Sequence, residues 1–243
     1  MDIIIYVVCH DDQSEQQARD IASEVEFAKV VRVGKSKYFE NQVYDYLYDN
    51  EADWCSKDWV GIVSYQLKEK SKMTLVDVSN EIKKHEDMDV ISFHNQKFFN
   101  YRTQREIHAM NTGPAQHTLF TYLVMKELFC RNGFTEREMI NDNIKLWFCN
   151  FWAAKPVWMQ RYIMFYKRCV IMIENDAELT DWIHKDSYYV NDNMTPHMLM
   201  EIFDKPYYTL HPFVFERLSG YFLSMSGAKI HQGGWWGKYV MQT

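Results

Sequence analysis

Glycine and proline are scarce in this chain, with nine glycines and five prolines among 243 residues. These two residues are the usual components of flexible linkers and of turns between domains. Here they are spread along the chain, and no internal repeat or low-complexity tract interrupts it. The sequence therefore predicts a single domain over residues 1–243.

Cysteine is also sparse. The five cysteines are odd in number, and no two of them form a Cys-x-x-Cys pair, so neither a disulfide framework nor a zinc finger is indicated. No window approaches about 18 consecutive apolar residues, and the first residues lack the basic start of a signal peptide. We therefore expect a soluble protein of a reducing compartment, the cytoplasm, without a transmembrane segment.

Positive charge is in deficit, with 27 lysines and arginines against 33 acidic residues and a formal net charge of −6. Proteins that bind nucleic-acid polymers need basic stripes, because much of their affinity comes from neutralised phosphates. The densest basic run, residues 68–72, is short and contains Glu69, and we interpret it as a solvated loop. A nucleic-acid polymer is not expected as a partner, whereas a single nucleotide needs only a few contacts.

Several motifs of common enzyme classes are missing. The sequence has no G-x-G-x-x-G after its first apolar run, no G-x-x-x-x-G-K-[ST], no G-x-S-x-G and no H-E-x-x-H. These absences argue against a dinucleotide-binding fingerprint, a P-loop, a serine-hydrolase elbow and a zinc-protease helix.

Apolar residues, by contrast, are plentiful: 47% of the chain is hydrophobic and 16% is aromatic. In the first hundred residues, short apolar runs alternate with segments of helical periodicity. The predicted strands are 3–8, 28–33, 59–65 and 89–93, and the predicted helices are 14–27 (with Ser14 as its N-cap), 40–50 and 74–84. This alternation predicts an α/β, Rossmann-like fold with a mostly parallel sheet.

The second half, residues 101–243, is predicted to be largely helical. The helical segments are 116–130, 150–173 with a break near Pro156, 195–203 and 213–225. Ligands of open parallel sheets bind beyond the carboxyl ends of the strands, so the residues that follow each strand are candidates for a site.

Two groups of acidic residues stand near predicted strands. His10, Asp11 and Asp12 follow the first strand, where Asp11 could accept a hydrogen bond from a ribose hydroxyl; a polar loop that caps the next helix is the alternative. Asp87 and Asp89 flank Met88 beside the start of the fourth strand, and two such carboxylates can share a divalent cation. A solvated turn explains the same acids, so both interpretations stay open.

Two later segments are chemically unusual. Residues 230–238 (IHQGGWWGK) combine glycines and tryptophans with His231 and Lys238, which could contact a metal ion or a phosphate; a tail held by aromatic packing is the alternative. Glu216 lies beside Arg217 in an apolar helix start, which indicates either a buried ion pair or a carboxyl group tuned for acid–base chemistry.

Four stretches resemble small glycosyltransferases of the GT-A fold, which occur in bacterial polysaccharide clusters and in large DNA viruses. They are YFENQVY at 38–44, DWVGIVSY at 58–65, FCNFWAAK at 148–155 and FVFERL at 213–218. The resemblance implies a GT-A-like fold, with residues 1–100 as the nucleotide-binding part and 101–243 as the mostly helical acceptor side. For a viral member, the location would be the host cytoplasm.

The resemblance also implies an activity: transfer of a sugar from a UDP-, GDP- or TDP-sugar to a hydroxyl of a glycan or glycoprotein acceptor, with Mn²⁺ or Mg²⁺. The implied nucleotide- and donor-binding residues are Val8, Cys9, His10, Asp11, Ser64 and Tyr65. The implied metal ligands are Asp87, Asp89 and His231. Glu216 and Asp192 are the candidates for the base that activates the acceptor.

Two other functions remain open on the sequence alone. One is a catalytically inert module that binds a nucleotide or a sugar. The other is a metal-dependent hydrolase of nucleotide-sugars, which would use the same acidic residues.

Overall fold

The computed structural model describes residues 1–100, 116–141, 143–192 and 194–241, with side chains described except at 95–100 and 234–241. Within these ranges the chain forms a six-stranded sheet with helices packed on both faces. None of the helices found there is long and apolar enough to cross a membrane. The predicted α/β class is confirmed.

The elements follow one another in a largely alternating order. The strands are β1 Ile3–Cys9, β2 Ala28–Arg32, β3 Trp59–Ser64, β4 Val90–Asn100, β5 Trp152–Ala154 and β6 Ile230–Met241. The helices are α1 Asp12–Ala22, α2 Val43–Asp49, α3 Leu67–Ser71, α4 Leu75–Lys84, α5 Leu119–Arg131, α6 Glu136–Met139, α7 Pro156–Asn175, α8 Ala177–Ile183, α9 Pro196–Phe203 and α10 His211–Met225. Short 3-10 turns at Phe39–Gln42 and Glu51–Asp53 flank α2.

The sheet is mixed. Its strand order is β2-β1-β3-β5-β4-β6, and β5 runs antiparallel to both of its neighbours while the other pairs are parallel. The prediction of a helix from residue 150 is wrong for this stretch, because Trp152–Ala154 fills the gap between β3 and β4 and satisfies their backbone hydrogen bonds. Pro156 then begins α7, which agrees with the predicted break.

The segment after Ile230 forms a strand, β6, which pairs in parallel with β4. Its backbone is therefore part of the sheet rather than a flexible tail. The side chains of Trp235, Trp236 and Lys238 lie outside the described part, so the predicted contact of Lys238 with phosphate is not placed.

Alternate residues of each strand face opposite layers of the core, as the two-residue repeat of a strand requires. On β1, Tyr6 and Val8 pack into a large aromatic layer with α2, α5, α7 and α10. Ile5, Val7 and Cys9 pack into a smaller aliphatic layer with α1 and α4. Strands β1 and β3 are buried on both faces, which explains their continuous apolar sequences.

Helix α1 begins earlier than predicted, because its N-cap is Asp11 rather than Ser14. The Asp11 carboxylate accepts a hydrogen bond from the Ser14 backbone N–H at 2.8 Å, and the Ser14 hydroxyl accepts one from the Asp11 backbone N–H at 2.9 Å. This reciprocal capping box places Ser14 in the first turn of the helix. The helix ends at Ala22, five residues before the predicted end.

Candidate functional site

Polar residues from four strands meet at one edge of the sheet, which we call the carboxyl edge. The parallel strands β1, β3 and β4 end or continue there. Because β5 runs in the opposite direction, the residues that precede it, Cys149 and Asn150, lie at this edge as well, and the Phe93 backbone N–H donates to the Phe151 carbonyl at 2.7 Å. Ligands of α/β sheets bind at such an edge.

Four groups form what we call the carboxyl-edge cluster: Glu40, Lys70, Cys149 and Glu216. They come from four separate segments, namely the 3-10 turn before α2, helix α3, the loop before β5 and helix α10. The Cys149 backbone N–H donates to Glu216 Oε1 at 2.7 Å, and the Lys70 ammonium interacts electrostatically with Cys149, Glu40 and Glu216. All four residues are partly buried, so the cluster is shielded but reachable from solvent.

Burial and mutual interactions shift the pKa values of the ionisable groups in this cluster. Burial raises the pKa of the Glu40 carboxyl, with the opposing influence of Lys70 and the reinforcing influence of Glu216. Burial and the nearby Glu216 also raise the pKa of the Cys149 thiol, which is therefore neutral at pH 7. Burial alone would lower the pKa of Lys70, but its neighbours outweigh burial and raise it. Lys70 is thus a cation that interacts with two carboxyl groups, those of Glu40 and Glu216.

The backbone before β5 is held in an unusual conformation. Cys149 and Asn150 have φ angles of 63° and 51°, in the left-handed region that costs a non-glycine residue about 1–3 kcal/mol. A buried network holds the second of them: Tyr44 donates to Asn150 Oδ1 at 2.9 Å, and Asn150 Nδ2 donates to Asn41 Oδ1 at 3.0 Å. Such strain is concentrated at functional sites, and here it turns the Cys149 N–H toward Glu216.

Two histidines line the same edge. The His10 ring meets the Tyr65 ring edge to face, with centroids 5.4 Å apart. Burial lowers the pKa of His10, and burial together with the charge of Lys70 lowers the pKa of His94 to about 4. Both imidazoles are therefore neutral at pH 7, and His10 Nδ1 is buried without a hydrogen-bond partner among the described residues.

The predicted nucleotide-binding residues differ in which of their groups could contact a ligand. The side chains of Val8 and Cys9 point into the two core layers, so only their backbone could reach a ligand. The Asp11 carboxylate accepts the hydrogen bonds of the capping box, and these bonds lower its pKa. Ser64 lies near the Glu40 carboxyl group, whose pKa it lowers, and Tyr65 faces His10, so these two residues adjoin the carboxyl-edge cluster.

Of the two candidate bases, the structure places one in the cluster. Glu216 belongs to the carboxyl-edge cluster. Arg217 points elsewhere: it is buried and donates to the Phe213 carbonyl at 2.6 Å and to Gln116 Oε1. Asp192 is exposed in the loop between α8 and α9, and no hydrogen bond or ion pair of the described residues joins it to the cluster.

The predicted metal ligands Asp87 and Asp89 lie before β4, at the opposite edge of the sheet, which we call the amino edge. Asp87 is exposed. Asp89 accepts a hydrogen bond from the Lys229 backbone N–H at 2.9 Å and lies 3.7 Å from Lys155 Nζ. This position does not fit a metal ion that holds a diphosphate at the carboxyl edge. Whether the two aspartates bind a cation stays a prediction.

His231, the third predicted metal ligand, also lies near the amino edge, in β6 beside Ile91 of β4. Its neighbours are not the two aspartates but Glu81 and His85 of the α4 region. An open surface depression at the same edge, lined by residues that include Asp2, Lys57 and Lys83, does not adjoin the carboxyl-edge cluster.

Sequence reasoning missed three members of the carboxyl-edge cluster. Lys70 was interpreted as part of a solvated basic run, although its position just after β3 satisfies the strand-end rule. Glu40 and Cys149 lie inside stretches that carry the family resemblance, and neither was singled out as a site residue. The site role of Cys149 depends on β5, which the sequence did not predict.

Comparisons of this chain with protein-family models, with curated proteins and with solved structures found no match.

Proposed function

We propose that this chain is a GT-A-like glycosyltransferase that moves a sugar from a nucleotide-sugar donor to a hydroxyl of a glycan acceptor. The observation that supports it is the carboxyl-edge cluster, in which a backbone-held carboxylate, Glu216, lies near a cation, Lys70. The cluster occupies the edge where α/β sheets bind nucleotides. The sequence resemblance implies the same activity.

In the proposed reaction, the bond between the anomeric carbon and the diphosphate oxygen breaks, and a new bond forms to the acceptor oxygen. Glu216 takes the proton of the acceptor hydroxyl, since the Cys149 N–H fixes its Oε1. The Lys70 ammonium stabilises the negative charge that develops on the departing diphosphate. Neutral His10 and the Tyr65 ring offer a hydrogen bond and an aromatic face to the nucleotide.

The resemblance also implies Mn²⁺ or Mg²⁺, which would screen the charge of a diphosphate when bound. Because Asp87 and Asp89 lie at the amino edge, we assign them no step of the reaction. Lys70 supplies positive charge from the chain itself. The metal requirement is tested by running each assay with Mn²⁺ and with EDTA.

The first experiment is a thermal-shift panel of UDP, GDP, TDP and their common sugar conjugates. A ligand that binds the folded state raises the melting temperature by mass action. We expect one nucleotide series to bind and Lys70→Met to weaken that binding at least about tenfold, since it removes a charge-assisted contact. Lys83→Met, at an exposed lysine of α4, is the matched control and should bind as the wild type does.

The second experiment follows donor turnover with and without acceptor sugars. Glu216→Gln keeps an acceptor for the Cys149 N–H but cannot take a proton, so it should bind the donor while transfer falls by about 10²–10⁴-fold. Consumption of the donor in the absence of an acceptor would indicate that the protein hydrolyses nucleotide-sugars instead of transferring the sugar. Binding without any turnover would indicate an inert module. If no nucleotide binds, the proposal fails.

A further inference from the structure

Three side chains with metal-binding donor atoms converge near the amino edge: Glu81, His85 and His231. Glu81 lies on α4, His85 follows it four residues later at the helix end, and His231 lies on β6. Glu81 Oε1 is 2.9 Å from His231 Nε2 and 3.6 Å from His85 Nε2. The two imidazole rings are stacked, with centroids 3.6 Å apart and an angle of 18° between their planes.

These separations suit a shared metal ion. One donor atom from each residue can be chosen so that all three lie within 4.8 Å of one another. Ligands held about 2.0–2.2 Å from one metal ion lie about 3–3.5 Å apart, in tetrahedral or octahedral geometry. The distances from Glu81 Oε1 to the two histidine nitrogens bracket that range, so small side-chain adjustments suffice to bind an ion.

The site depends on how closely α4 packs against β6. A Cβ atom on Gly233 would lie 2.4 Å from Glu81 Oε1 and 3.0 Å from Glu81 Cδ. Glycine at this position therefore lets the carboxylate approach the strand that carries His231. The three side chains are only 21% to 28% exposed, which limits their motion but leaves an open side for water.

We propose that Glu81, His85 and His231 bind a divalent transition-metal ion such as Zn²⁺. Two imidazoles and one carboxylate suit zinc, cobalt, nickel or copper, whereas magnesium and calcium prefer oxygen ligands alone. The ion links the end of α4 to β6, and water completes its coordination. This site is separate from the carboxyl-edge cluster and does not depend on the proposed sugar transfer.

The test measures Zn²⁺ and Co²⁺ binding to protein freed of metal by a chelator, by calorimetry for Zn²⁺ and by visible absorption for Co²⁺. Wild-type protein should bind one ion, with the cobalt bands of a site that contains nitrogen ligands. Each of three substitutions should weaken metal binding by about 10–100-fold or more: His85→Gln, His231→Gln and Glu81→Gln. Even substitution of a residue that only hydrogen-bonds to a metal ligand lowers metal affinity by about this factor. Gly233→Ala should weaken it as well, because it displaces the Glu81 carboxylate.

His197→Gln is the matched control. His197 pairs with Glu201 four residues later on α9, at 3.3 Å, and the two form a histidine–glutamate pair on an exposed helix face. Its substitution should leave the affinity for metal unchanged. Circular dichroism of each variant checks that the fold is intact.

Two results would overturn the proposal. One is the absence of stoichiometric Zn²⁺ binding below about 100 μM, in which case the three residues form only a hydrogen-bonded group. The other is equal affinity in the wild type and in folded His85→Gln and His231→Gln variants. Nucleotide binding at the carboxyl edge is measured separately, so either proposal can fail without the other.

Discussion

Replacement of Lys70 by methionine tests the electrostatics of the carboxyl-edge cluster, because it removes the charge and keeps a long side chain. Glu216 then raises the pKa of Glu40 without the opposing influence of the Lys70 cation. Attraction between unit charges about 4–8 Å apart is worth about 2–4 kcal/mol at an effective dielectric constant of about 20. Since burial of the ammonium opposes this gain, we expect Lys70→Met to lower the free energy of unfolding by about 1–3 kcal/mol at pH 7.5.

The loss should depend on pH in a definite direction. The pKa of Glu40 in the folded protein is already raised, and removal of Lys70 raises it further. A carboxyl group whose pKa is higher in the folded state destabilises the fold fully above the folded value, and this effect fades as the pH falls toward the unfolded value. The cost of Lys70→Met should therefore be smaller at pH 5 than at pH 7.5.

Urea unfolding at several pH values measures this, in a cycle of Lys70→Met, Glu40→Gln and the double variant. With Glu40 uncharged, the loss of Lys70 should cost at least about 1 kcal/mol less than in the wild type at pH 7.5. Lys83→Met should change the stability by less than about 0.5 kcal/mol. A cost of Lys70→Met that is independent of pH and unchanged by Glu40→Gln would refute the reasoning.

Three further outcomes are expected. Gly220→Ala, on α10, should lower the free energy of unfolding by about 1–3 kcal/mol despite better helix propensity, because its Cβ would lie 2.5 Å from the Lys145 carbonyl oxygen; a stabilised variant would contradict this packing. The neighbouring Ser219→Ala is the control in urea unfolding and should cost little, since its buried hydroxyl has no partner among the described residues. His94 should stay neutral down to about pH 5 in an NMR titration, as its lowered pKa of about 4 requires. Because the unfolded chain takes up this proton near pH 6.5, His94 should contribute to the loss of folding stability as the pH falls below about 6.5. Titration of His94 near pH 6.5 would argue against its burial beside Lys70. Asp11→Ala should lower the free energy of unfolding by about 1 kcal/mol in urea unfolding, because it removes the N-cap of α1, whereas Asp11→Ser should keep most of the stability that the cap contributes. Equal losses of stability in the two variants would argue against the cap.

Local sequence patterns were sufficient for much of the first half. Strands β1 to β3 and the start of β4 were predicted from short, mostly apolar runs, whereas β4 continues to Asn100, seven residues beyond its predicted end. Helices α4 and α9 begin within one residue of their predicted starts. Glu216 was singled out because an acidic residue in an apolar helix start is unusual, and the structure places it in the carboxyl-edge cluster. These signals lie within a few consecutive residues, where backbone preference and periodicity act.

Strand β5 could not be predicted from such local patterns. Trp152–Ala154 is a short apolar run that fits a helix as well as a strand, and it is a strand because β3 and β4 leave their backbone groups unpaired on either side. Cys149 and Asn150 adopt left-handed conformations for the same non-local reason, since a buried network with Tyr44 and Asn41 holds them. No window of sequence around residue 150 contains those partners.

The sequence by itself determined the α/β class, the strand-end positions of His10, Ser64 and Tyr65, and the hypothesis of a sugar-transfer site. Only the tertiary structure decided which side chains meet. It brought Lys70 to Glu40 and Glu216 at the carboxyl edge, and it placed His231 with Glu81 and His85 rather than with the two aspartates. The physical reason is that local propensity sets each element, whereas strand order and helix packing bring together residues that are far apart in sequence.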